Sequence, residues 1–185
     1  MHPEDKVSSL VDSLLAPFEA ALTDRDSALR WCNLGTIDHV SQPQVRTVIL
    51  RAIDLKRREM LFYTDKRSPK CSEISHQPTI TGHYHDPASK RQFRFFGTAN
   101  LVLTGPIRDA HWHALKPYAK QDYATATAPS SAGTPTNLEE LAADNFALIA
   151  FRYDALDWLS LSRTGHQRRR IVWSENGVRI TELVP

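Results

Sequence analysis

Arginine and its spacing carry the first chemical signal in this chain. The run Arg46-Thr47-Val48-Ile49-Leu50-Arg51 places a guanidinium at each end of an apolar strand. Arginine is seldom spent at both ends of a buried strand unless an anion meets it, and its planar fork suits phosphate or carboxylate. On an ideal strand these two positions face opposite ways. One ligand reaches both only if the strand end bulges, or if they serve different parts of a site. Phe62-Tyr63-Thr64 is followed by Lys66, Arg67, Ser68 and Lys70. Hydroxyls, cations and the free N–H groups of a helix N-terminus therefore converge where a phosphate could sit. The plainer alternative is a strand with snorkelling ends beside a capped helix. Farther on, Lys90-Arg91-Gln92-Phe93-Arg94 puts Gln92 and Arg94 on one strand face, where an amide that both donates and accepts suits the edge of a flavin or a base. A solvated strand edge would read the same way.

Other candidates carry less. Trp158 opens a segment holding Arg163, His166 and the triplet Arg168-Arg169-Arg170, which reads either as a nucleic-acid patch or as a solvated strand entrance. His83 and His85 share a strand face but lack a third ligand at a recognisable spacing, so no metal site is expected. His111 and His113, two apart on a helix, point to different sides. Cys32 and Cys71 have no CxxC partner and are expected as reduced thiols. The seven glycines are all at least eight positions apart, which excludes the GxGxxG fingerprint and the Walker A loop. A GxSxG elbow is also absent. Any phosphate must then be held by side chains.

The elements that would position these groups follow from periodicity. Residues 7–22 carry Val7, Leu10, Val11, Leu14, Leu15, Phe18, Ala21 and Leu22 at helical spacing, within an N-terminal helical region spanning 1–28. Strands are expected at 29–37, 46–53, 60–65 and 79–85, with a short helix over 68–77 that has Ser68 as N-cap and Pro69 at its first position. The clearest strand is 91–104, with Phe93, Phe95, Ala99 and Leu101 on one face and a polar face interrupted by Phe96. A helix to about residue 118, an Ala/Thr/Ser/Pro/Gly-rich mobile loop over 124–136, a helix over 138–145 and an apolar strand over 146–153 come next. The hairpin 169–174/178–183 closes the chain around Glu175-Asn176-Gly177. Strands in hairpin order with short helices imply a mainly β, antiparallel barrel. With 185 residues, 41% apolar content and formal charge +2, the chain reads as one globular domain, 1–185. It has no apolar run long enough to span a bilayer and no secretory signal, and is expected in the cytoplasm.

Together these segments resemble the pyridoxamine 5′-phosphate oxidase family of FMN-binding split-barrel proteins. Arg46–Arg51 looks like that family's phosphate-binding strand, with arginine in place of its final lysine. Tyr63-Thr64 with Ser68 and Lys70 resembles the next element, then come Gln77-Pro78 and Arg91-Gln92. Trp158 and His166-Gln167-Arg168 are similar to the tryptophan and triplet that close the flavin site, within a C-terminal hairpin region, 155–185, that completes site and dimer.

The resemblance implies an antiparallel split β-barrel with flanking short helices and a homodimer binding FMN at its interface. Arg46, Ser68 and Lys70 would hold the phosphate, with Arg51 and the backbone of Thr47, Val48, Ile49 and Leu50 nearby. Tyr63, Thr64 and Gln92 would meet the ring, with Trp158 and Arg168 supplied by the other subunit. Arg51, Lys116 and His166 would face substrate, and His166 is the one candidate catalytic side chain, since the chemistry belongs mainly to the flavin. Pro69 stands where the family has a second basic residue, Trp112, Lys116 and Lys120 fall where a tyrosine, an arginine and a serine grip the substrate phosphate, and Thr164 and Gln167 replace an arginine and an aspartate. The implied activity is an FMN-dependent oxidoreductase acting on a small molecule. Authentic pyridoxamine or pyridoxine 5′-phosphate oxidation, and a non-catalytic flavin- or haem-binding role, stay open beside it. Nucleic acid and membrane are not expected partners.

Overall fold

The computed structural model describes residues 3–134 and 136–185; Met1, His2 and Pro135, which fall in the expected N-terminal region and the expected 124–136 loop, lie outside them. Eight antiparallel strands run β1 (Trp31–Ile37), β2 (Pro43–Asp54), β3 (Glu59–Asp65), β4 (Thr79–Asp86), β5 (Arg91–Val102), β6 (Phe146–Ser160), β7 (Gln167–Ser174) and β8 (Gly177–Leu183). Their order is β3-β2-β1-β4-β5-β6-β7-β8, and β3 also pairs with β6, which closes the first six into a barrel and leaves β7–β8 as an extension. Period-two alternation does the building: Cys32, Leu34, Val48, Leu50, Met60, Phe62, Ile80, Tyr84, Phe93 and Phe95 all face inward and are buried.

The amphipathic helix α1 (Pro3–Ala21) fills one end. It drives Phe18, fully buried, edge-on against Tyr84, Phe93 and Phe95 with ring centroids 4.9, 5.0 and 5.4 Å apart. Helix α2 (Pro69–His76) follows β3, and α3 (Pro106–Ala114) follows β5. The helical stretch expected to reach residue 118 breaks after α3 and resumes as α4 (Pro117–Lys120), since Pro117 has no N–H to continue the ladder.

Further expectations need correction. The N-terminal helix expected within 1–28 ends at Ala21. The first strand begins at Trp31, because Ser27 caps a 3-10 turn, Ala28–Arg30, by accepting from the Leu29 N–H. The helix over 138–145 is two short pieces, a 3-10 turn at Glu139–Leu141 and α5 (Ala142–Asn145). The strand expected to end at Tyr153 continues to Ser160, with Asp154 and Asp157 inside it. At its base the 124–136 loop is tied: Thr125 bridges Asn137, and the Arg67 guanidinium donates to the Ala126 carbonyl at 3.0 Å.

β6 is long because it serves two sheets. Its first half pairs with β3, its second half with β7, and β5 runs along nearly all of it. The handover needs a bulge at Phe96/Gly97, where Asp154 is the extra residue. A Cβ on Gly97 would run into the Arg152 carbonyl oxygen, with Tyr153 Cα at 2.7 Å, so glycine alone fits this approach.

Candidate functional site

The β2 end does bulge. Leu50 pairs with Phe62 and Ala52 with Leu61, so Arg51 is the extra residue. Its guanidinium lies over the Tyr63 ring, 4.9 Å from the centroid. Arg46 faces the other way, on the side of Val48 and Leu50, which are buried in the core and have only backbone to offer a ligand. Thr47, exposed, donates to the Asn33 side chain at 3.0 Å, and Ile49 is half-buried.

Arg46 meets an acid that spacing did not reveal. Its Nη2 pairs with Glu73 Oε2 at 2.7 Å, and Nη1 donates to Thr36 Oγ1 and, at 3.4 Å, to the Leu34 carbonyl. Glu73 and Thr36 are buried. Next to this pair, Lys70 Nζ donates to Ser68 Oγ at 2.9 Å and to Thr64 Oγ1 at 3.5 Å. Ser68 stands at the N-cap position of α2 but its hydroxyl donates to the Asp65 carbonyl instead of capping. Lys70 enters no ion pair formed among the described residues. Burial pushes its ammonium below the usual lysine range and the Arg46 charge adds to this, with Asp65 and Glu73 opposing in part. A partly desolvated ammonium supported by neutral hydroxyls, at a helix start, is arranged to receive an anion.

Gln92, Trp158, Arg168 and His166 lie elsewhere and on two faces: Trp158 stands in a row with Phe93 and Arg169, opposite to the face of Gln92 and Arg168. Gln92, Leu159 and Arg168 form one cross-strand row on β5, β6 and β7. Arg168 grips Asp157 with two bonds, 3.1 and 3.0 Å, and Arg94 reaches the same carboxylate at 2.8 Å. Arg169 pairs with Glu182 at 2.6 Å and lies over Trp158, while Arg170 lies over Phe96 at 4.3 Å. Trp158 is 5% exposed, and its indole N–H is buried without a partner. His166 sits in the exposed turn before β7, where its Nδ1 accepts from the Ser162 N–H at 3.1 Å.

One chain does not bring the two groups together. Arg46 is in register with Leu34, Gly82 and Phe95 on successive strands, so Gln92 lies three strands across and three residues along. At standard strand spacing that is roughly 14 Å by 10 Å. Lys116 is exposed at the start of α4, and Lys120 Nζ lies 4.8 Å over the Trp112 ring. His83 and His85 share the outer face of β4; among the described residues no group of three or more His, Cys, Asp or Glu side chains is placed to hold a metal. Cys32 and Cys71 are free and buried, and burial pushes the Cys32 thiol up to about 12. Among the described residues no helix is long and apolar enough to cross a membrane.

Beyond the expected residues stand Glu73, Asp157 and His111. His111 Nδ1 lies 2.9 Å from the Tyr63 hydroxyl, and its ring packs edge-on to Tyr63 at 5.5 Å. Burial lowers the His111 pKa and raises that of Tyr63, the latter opposed by Arg51.

A closed six-stranded barrel with a hairpin extension and a half-buried cation at the start of α2 define a split-barrel protein. The profile of the family described as "Pyridoxamine 5'-phosphate oxidase, FMN-binding domain" matches residues 13–103, and that region of the chain belongs to this family. A pyridoxine/pyridoxamine 5′-phosphate oxidase of Baumannia cicadellinicola is 31% identical over 114 residues, 62% of this chain and 51% of that protein. One from Hydrogenovibrio crunogenus is 33% identical over 89 residues, 48% of this chain and 39% of its own length. The chain thus spans about half or less of the length of these relatives. Among solved structures, a pyridoxamine 5′-phosphate oxidase-related FMN-binding protein of Nostoc punctiforme superposes with a TM-score of 0.75 at 19% identity, covering 100% of this chain and 99% of that one. PhzG of Burkholderia lata, solved with tetrahydrophenazine-1-carboxylic acid, gives 0.76 at 18% identity, covering 100% and 98%. At these identities they show the shared fold.

The residues present fit FMN. A phosphate would meet Lys70, Ser68, Thr64 and the α2 N-terminus, and the Trp158 N–H, without a partner among the described residues, is a buried donor that a ligand acceptor would satisfy.

Proposed function

We propose that this chain, as one unit over 1–185, is an FMN-dependent oxidoreductase acting on a small molecule as a homodimer whose flavin sites lie between subunits. Lys70 is the observation that carries the reading: a half-buried cation, supported by hydroxyls and in no ion pair among the described residues, beside the start of α2. Lys70, Ser68 and Thr64 would bind the phosphate, with Arg46 adding charge from behind. Arg51 and Tyr63 would border the ring on the same subunit. The separation of Gln92, Trp158 and Arg168 from this cradle within one chain supports their acting on the flavin of the partner copy. When bound, FMN supplies hydride transfer at its N5. The protein's part is to orient it, to exclude water, and to place the positive charge of Arg51 and Arg168 where anionic charge develops. Lys116 and Lys120 near Trp112, and His166 at the turn before β7, would meet the substrate.

The test starts with the protein purified without added cofactor, its visible spectrum recorded and any chromophore released by denaturation identified by mass. FMN is expected, and a colourless protein that fails to take up added FMN overturns the reading. Lys70→Met is expected to weaken FMN binding roughly tenfold to 150-fold, the worth of a charge-assisted hydrogen bond. A second reading, oxidation of pyridoxamine or pyridoxine 5′-phosphate, is favoured by the names of the curated relatives. It requires hydrogen peroxide to form from those substrates in air, and FMN-loaded protein that forms none removes it.

A further inference from the structure

We propose that His111 is a positioning residue of the flavin site: it fixes the phenol of Tyr63, and through the Tyr63 ring it sets where the Arg51 guanidinium stands. The inference rests on the flavin reading above and goes past it, because the motifs that carry that reading include Tyr63 and Arg51 and leave His111 out.

Tyr63 leaves the outer face of β3 half-buried, with three neighbours holding its ring. Phe146 meets it edge-on at 5.1 Å, His111 edge-on at 5.5 Å, and Arg51 covers it at 4.9 Å. The only bond that fixes its hydroxyl among the described residues is the one to His111 Nδ1, at 2.9 Å. Burial keeps the imidazole neutral near pH 7 and keeps the phenol protonated. The phenol then donates, Nδ1 accepts, and the ring proton is held on Nε2. Arg51 is the bulged residue of β2, outside the regular ladder, and among the described residues no ion pair engages it. Its position depends on the aromatic face beneath it. A bulged arginine resting on a ring that is itself pinned at both ends is a pre-organised charge, and pre-organisation is what a hydrogen bond remote from the ligand can contribute.

The arrangement also explains why α3 lies where it does. Arg108, nearly buried on α3, donates twice to the Phe146 carbonyl at 3.2 Å and locks the helix against the start of β6. His111 follows one turn later, delivered to the Tyr63 hydroxyl from a helix that is itself fixed.

The experiment is a double-mutant cycle on FMN affinity, read by quenching of flavin fluorescence on titration into apoprotein. Tyr63→Phe and His111→Leu are each expected to raise the FMN dissociation constant roughly three- to tenfold, the net worth of one hydrogen bond. The double variant is expected to be no weaker than either single one, since both remove the same interaction. His111→Asn, whose amide oxygen can stand in for Nδ1, is expected to recover most of the loss. Independent losses that add, no recovery by asparagine, or an unchanged dissociation constant in His111→Leu would each overturn the assignment while wild-type binding shows that the flavin reading stands. Wild-type protein that binds no FMN overturns both.

Discussion

Two parts of the molecule solve the same electrostatic problem differently. Around the start of α2, Arg46 and Lys70 lie near the buried acid Glu73, with a second buried acid, Asp65, held by Arg67; on the β5–β6–β7 face, Arg94 and Arg168 share Asp157. Around α2 three cations stand beside two buried carboxylates; on the sheet face two cations stand beside one. In the second, Asp157 bridges both guanidiniums, so both are oriented and both are partly spent. In the first, Glu73 takes Arg46, Asp65 takes Arg67, and Lys70 is left with hydroxyls. A buried acid can therefore hold cations in place or, by engaging only one, leave its neighbour open to a ligand. Sharing one acid fixes both cations in place, and withholding it leaves one cation open to a ligand.

The contrast breaks most visibly at Arg46. Arg46→Met strips Glu73 of its counter-charge in a buried setting and is expected to cost on the order of 3 kcal/mol of stability, measured by urea unfolding. Unchanged stability would mean that Arg46 is as free as Lys70. Lys70→Met should act in the opposite sense on the empty protein. Its pKa is depressed mainly by burial, so the charged form disfavours folding at every pH below the folded value. Removing the charge should raise apoprotein stability even as FMN binding falls, and a loss of both would show that Lys70 is a structural group. The smallest effect lies in acid. Among opposing influences the bonds from Arg168 and Arg94 outweigh desolvation and hold the Asp157 pKa below its ordinary value. A depressed carboxylate contributes stability that is fully present above its unfolded pKa, near 4, and is lost as pH falls through the folded value. Asp157→Asn should flatten the acid limb of a stability-against-pH curve, and an unaltered limb would place the titration elsewhere.

How far these regions could be read from sequence depends on how local their causes are. Strand alternation in 91–104 and the Ser68-Pro69 helix start are short-range signals, and both appear at close to the expected positions. The bulge at Arg51 was legible as a condition, since two arginines five apart can serve one ligand only if regularity fails between them. Glu73 was not, because it reads as an ordinary helical residue until α2 packs against Arg46 and Thr36, which are far away in sequence. The extent of β6, which runs past Tyr153 through Asp157, was misleading for a related reason. Charges usually end a strand, and here one lies inside it because two arginines on neighbouring strands neutralise it. His111 was weighed only as a metal ligand, and its partner, Tyr63, is brought to it by the closing of β3 on β6.

Phe18 has a further consequence. A stopper of aromatic rings plugs the barrel, which therefore offers a guest its outer wall and rim, not a lumen. A planar molecule lying on a wall is sheltered on one side only. In the homodimer proposed above the partner copy would shelter the other side, so chemistry that requires a dry setting would wait on assembly, and dilution below the point of assembly would act as an off-switch.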